Sequence, residues 1–89
     1  MAVITYGYDL VQNVRTLVVP ASTSVQKVCI HNHEHATSKE VFIGNSEVTV
    51  DNGMHAVATA TGEVQLLPGD DLYAITAQTG VNLRILVVR

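Results

Sequence analysis

The chain has 89 residues, 47% of them hydrophobic and 15% charged, and five Lys+Arg against eight Asp+Glu leave a formal net charge of -3. That is one small domain with a thin core, too apolar for a disordered chain and poor in charge for its surface, which points to faces covered by other chains. Arg15, Lys27, Lys39, Arg84 and Arg89 are scattered with no basic stripe, which argues against a nucleic-acid partner, and no apolar run approaches the ~20 residues of a membrane span.

The opening "MAVITYGYDL" lacks the basic start and apolar centre of a signal peptide, so synthesis and retention in the cytoplasm are expected. It is β-prone through Val3, Ile4, Thr5, Tyr6 and Tyr8 yet precedes the first clear strand. Residues 1–12 are therefore expected as an N-terminal arm and 13–89 as a β-sandwich domain; an edge strand of the same sandwich is the alternative. Leu10, Val11, Val14, Leu17 and Val18 fit a helical stripe, but "VRTLVVP" is β-branched and stopped by Pro20, which favours a strand over 14–19.

"VQKVCIHN" alternates, with Val28 and Ile30 on one face and Lys27 and Cys29 on the other. Asn32 follows the inward set at the strand's end, where a buried amide bonds the backbone of the next loop and pins it. Cys29 is the single cysteine, so there is no internal disulfide, and it reads as a half-buried hydrophobe.

In "IHNHEHATSKEVFIG", His31, His33 and His35 occupy alternate positions. On an unbroken strand they would project from one face at ~6.5–7 Å intervals, the spacing of a chelating His-x-His pair. Against that, only His55 is left as a further imidazole, and the segment is polar with no aliphatic side chain larger than alanine up to Glu40. A solvated connection is expected, with no metal and no cofactor.

"KEVFIG", "EVTV", "MHAVATA" and "EVQLLP" are short and strand-like. Asn52-Gly53, Thr61-Gly62, Pro68-Gly69 and Thr79-Gly80 are turn-type pairs, at roughly the 8–12-residue spacing of short strands in all-β folds. "DLYAITAQ" and "VNLRILVV" bracket an expected hairpin at Thr79-Gly80. Val81, Leu83, Ile85 and Val87 share one face of the last strand, while Leu86 and Val88 make the other apolar, so cover on both sides is expected. The fold class is all-β: a small antiparallel β-sandwich, jelly-roll-like or Greek-key, of about seven to eight short strands with an N-terminal arm.

No catalytic residue stands out. The Gly-Asp-Asp of "PGDDLY" reads as a turn between apolar strands, and Ser22, Ser24, Ser38 and Ser46 lie in no Gly-x-Ser-x-Gly elbow. No glycine loop is spaced to cradle phosphate. Tyr6, Tyr8, Tyr73 and Phe42 are the only aromatic residues of their kind, which disfavours a sugar-stacking site. The chain is not expected to be an enzyme.

"VCIHN", the polar loop, "KEVFIGNSEVTVDNG" and "LLPGDDLYAITAQTGVNLRILVV" together resemble a recurring pattern in small β-sandwich virion accessory proteins of tailed phages. The resemblance covers about residues 25 to 88 and is most like the head decoration, or capsid-cementing, proteins. It implies a structural protein on the capsid surface, with the major capsid protein and further copies of itself as partners and a trimer as the favoured oligomer. The arm residues Val3, Ile4, Thr5, Tyr6 and Tyr8 are then expected to grip the capsid by strand addition. The histidine loop and the N-terminal segment lie outside the shared pattern. A tail or baseplate accessory protein, or a small ligand- or metal-binding module, are the alternatives.

Overall fold

Alternating inward and outward side chains build eight strands: β1 (Val3–Leu10), β2 (Thr16–Val19), β3 (Gln26–Asn32), β4 (Val41–Gly44), β5 (Met54–Ala56), β6 (Thr61–Leu66), β7 (Leu72–Ile75) and β8 (Val81–Val88). The structure is a computed structural model that describes residues 2–89. The strands form two four-stranded antiparallel sheets, ordered β1-β8-β3-β6 and β2-β7-β4-β5. The nested ladders β1/β8, β2/β7, β3/β6 and β4/β5 trace one long hairpin wound on itself, and β3/β8 and β4/β7 complete the sheets. That is jelly-roll connectivity, a sandwich with two Greek keys.

The core follows from period-two alternation. Val28 and Ile30 on β3, Val41 and Ile43 on β4, and Val81, Leu83, Ile85 and Val87 on β8 meet between the sheets. On β2 the register shifts between Leu17 and Val19, a bulge that turns the consecutive Val18 and Val19 both inward.

The N-terminal segment is not a free arm. Val3 to Leu10 pair with Val88 to Val81 without a break, and Ile4, Tyr6 and Tyr8 pack against the core of their own chain. Tyr8 Oη donates to Val18 O at 2.9 Å, tying the edge of one sheet to the other. Burial, and the Tyr6 phenol beside it, push the Tyr8 phenol up from its ordinary value. The strand-forming character was legible; its partner, at the far end of the chain, was not.

Four further expectations change. β7 and β8 lie in different sheets, so Thr79-Gly80 serves a crossover and not a hairpin. Its glycine has φ 64, so positive φ marks the bend without saying where the next strand pairs. The second strand begins at Thr16, not Val14, and Gly62 sits inside β6 opposite Ile30. "EVTV" is no strand. It lies in the 45–53 connector of the β4/β5 hairpin, and Val48 folds back to become 2% exposed.

Val48 fits because Gly44 and Gly53 leave room for it. A Cβ on Gly53 would lie 2.7 Å from Phe42 Cβ, 2.8 Å from Val48 Cγ2 and 3.1 Å from the Ile43 amide nitrogen. Gly53→Ala is therefore expected to cost about 1–3 kcal/mol through overpacking. Adding Val48→Ala removes one of the clashing atoms, so urea titrations of the two single variants and the double should give a sub-additive loss. Strict additivity would show that Val48 is not what confines position 53.

Candidate functional site

The outward face of the first sheet is a contiguous surface spanning four strands. Register places its side chains in rows across four strands: Val3, Val88, Lys27 and Gln65, then Thr5, Leu86, Cys29 and Glu63, then Gly7, Arg84, His31 and Thr61. The centre is apolar or small, and the charges stand at its rim. Val3 is 65% and Leu86 39% exposed, so among the described residues nothing covers the second face of β8 at Leu86, contrary to expectation. A surface groove of about 390 Å³ runs between Leu86 and Val88 on one side and Glu63 and Gln65 on the other, with Lys27 and Cys29 along it. Exposed apolar ground rimmed by polar groups is the usual form of a protein contact surface.

At one end of this face stands the histidine row. His31 belongs to β3 and not to the connection, and its Nδ1 lies 2.9 Å from Thr61 Oγ1 on β6. The His31 and His33 ring centroids are 5.4 Å apart, and those of His33 and His35 are 6.2 Å apart. Between them Glu34 Oε2 accepts a bond from the Asn82 backbone N–H at 2.8 Å, which holds the run against β8. His55 joins none of these. It stacks on Phe42 and bonds Glu40 Oε2 at 2.6 Å on the second sheet. Among the described residues no three His, Cys, Asp or Glu side chains are placed to hold one metal ion. Zinc and a chelator are accordingly expected to leave the thermal midpoint alike. A rise of several degrees with zinc, lost on replacing His31, His33 and His35 together by alanine, would overturn that expectation.

Asn32 closes the same strand from inside. Fully buried, its Nδ2 donates to Lys39 O at 2.9 Å and to Ala56 O at 3.1 Å. Its backbone N–H donates to Ala60 O and its carbonyl accepts from Thr59 N–H, both at 3.0 Å. One residue of the first sheet thus fixes the end of the histidine loop, the end of β5 and the turn after it. Lys39 Nζ, further along that loop, donates to Thr79 O.

Sequence reasoning missed two other buried polar anchors. Gln26 Nε2 donates to Pro20 O at 3.1 Å while its Oε1 accepts from Arg89 at 3.1 Å, and Thr76 Oγ1 donates to Glu40 O at 2.6 Å. Gln26 shares the inward parity of Val28 and Ile30, the signal that could have found it. Of the expected gripping residues, Ile4, Tyr6 and Tyr8 are committed to the chain's own core, which leaves Val3 and Thr5 facing outward. No protein-family model, curated protein or solved structure matches this chain.

Proposed function

We propose that this chain is a structural virion protein, a decoration protein that binds the major capsid protein on the outside of a tailed-phage head. The resemblance over about residues 25 to 88 supplies the class. The observation that carries the reading is the outward face of the first sheet, where exposed Val3 and Leu86, half-buried Val88 and Cys29 and the small Thr5 form largely apolar ground on a regular ladder. Rigid apolar centres supply affinity, and rim charges such as Lys27, Glu63 and Arg84 set orientation. The role needs no chemistry at the site. It needs a shape that covers a neighbour.

The test uses heads of the encoding phage from which the protein is missing. Added wild-type protein is expected to sediment with them to saturation. Leu86→Glu places a charge at the centre of the contact, where a lost anchor costs about 2 kcal/mol or more, so binding should fall at least ~30-fold. Its melting temperature should hardly change, because Leu86 faces away from the core. Undiminished binding of that variant would remove this face from the capsid contact, and density on tails would reassign the protein as a tail accessory.

A further inference from the structure

We propose that β1 pairs with β1 of a second copy across a twofold axis at Gly7, joining two first sheets into one continuous eight-stranded sheet. This pairing does not depend on capsid binding, and backbone parity allows it. Ala2 and Arg89 exchange both their N–H···O=C bonds, so they form a hydrogen-bonded pair. In an antiparallel ladder such pairs alternate. The residues bonded to β8 are then Ile4, Tyr6, Tyr8 and Leu10. Val3, Thr5, Gly7 and Asp9 turn their N–H and C=O groups away from the sheet, along an open edge.

That edge lacks the usual protection. Edges are commonly blunted by shortness, bulges, lysine or proline. β5 has three residues, β2 has four and a bulge, and β6 carries Glu63 midway. β1 has eight residues in unbroken register, with neither lysine nor proline, and its one charge, Asp9, lies near its end and accepts a bond from Asn82 Nδ2 of its own chain at 2.8 Å.

The sequence of β1 is also nearly symmetric about Gly7, as a twofold contact requires, since residue i must meet j while j meets i. Antiparallel pairing centred on Gly7 sets Tyr6 opposite Tyr8 of the other copy, Thr5 opposite Asp9, Ile4 opposite Leu10 and Val3 opposite Val11. Parity agrees: the outward-turned Gly7, Thr5 and Asp9 become the hydrogen-bonded pairs. The tyrosines, stacked in one chain with centroids 6.0 Å apart, would form a cluster of four. Val3 and Val11, 65% and 61% exposed, would cover each other at both ends of the ladder.

Gly7 itself has no reason within its own chain. It has no positive φ, and a Cβ there would meet only Arg84 Cδ, at an ordinary 3.9 Å. Glycine inside a strand otherwise weakens it, and it often marks the close approach of another backbone. The axis supplies that backbone.

Sedimentation equilibrium of the full chain, from low micromolar concentration to the solubility limit, is expected to reach a two-chain mass. Gly7→Glu puts two carboxylates opposite each other at the axis, while within one chain the new carboxylate lies beside Arg84. The mass should drop to one chain, with a melting temperature no lower than that of the wild type at concentrations where the wild type is also one chain. The register is read separately in a Cys29→Ser background with diamide as oxidant. Gly7→Cys should give a disulfide-linked pair, because hydrogen-bonded partners lie ~5.5 Å apart at Cα, within disulfide reach. Val3→Cys should not, its two copies being roughly 27 Å apart along the ladder. A one-chain mass throughout, a three-chain mass (the trimer implied by the resemblance), a G7E protein that stays two-chain, or equal crosslinking at both positions would each overturn the proposal.

Discussion

Asn32→Asp is expected to unfold the domain at neutral pH and to recover part of its stability in acid. The wild-type amide presents two N–H donors to two carbonyls, Lys39 O and Ala56 O, in a site with no solvent exposure. Its Oδ1 has no hydrogen-bond partner among the described residues, so the position is used for its donors. A carboxylate has the same shape and no donor. Both carbonyls lose their partner at about 1–3 kcal/mol each, and a buried unpaired charge adds several kcal/mol. Set against the roughly 5–15 kcal/mol of a small domain, that is most or all of its stability.

The pH dependence follows from the same chemistry. Burial and two facing carbonyl oxygens raise the introduced carboxyl's folded-state pKa above its unfolded value of about 3.9. The protonated acid keeps one O–H donor. Below the unfolded pKa the charge penalty is absent; it grows as pH rises and is complete above the folded pKa. Urea titrations of variant and wild type at pH values on both sides of that window measure the difference. An equal gap between the two proteins at every pH would show that the aspartate stays solvated, and with it that Asn32 is not a sealed donor.

Asn32 also shows what a sequence of this kind makes legible. Alternation from Val28 through Ile30 placed it inside, and the same parity placed His31 and Cys29 outside. Local rules carry such information because a strand's period is two. They carry none about which strand lies alongside. Thr79-Gly80 has the dipeptide of a hairpin, yet β7 and β8 separate into two sheets. β-Branched "EVTV" has the composition of a strand, yet Val48 plugs the space over two glycines. The outward set of Leu86, Cys29 and Thr5 could be read from parity, but its meeting as one surface depends on β1 and β3 flanking β8, pairings between distant parts of the chain. Sites assembled by nested long-range ladders stay hidden from local patterns, however clear each strand is.

The removal of residues 2 to 8 separates an arm from an edge strand, and unfolding is the expected result. The deletion takes Ile4, Tyr6 and Tyr8 from the core side of β1 together with the Tyr8 to Val18 hydrogen bond. Burying a large apolar or aromatic side chain contributes about 1.5–3 kcal/mol, and these three are partly buried, so their sum is several kcal/mol. The backbone bonds to β8 go with them. β8, buried on its inner face through Val81, Leu83, Ile85 and Val87, would become a bare edge whose donors and acceptors lose their partners along most of its length. The combined loss rivals the whole stability of so small a sandwich. Circular dichroism and thermal unfolding of the truncated chain should therefore show no cooperative transition at temperatures where the full chain is folded. A truncated protein that melts like the full chain would mean that β1 contributes nothing to the fold, and the segment would be a detachable arm after all.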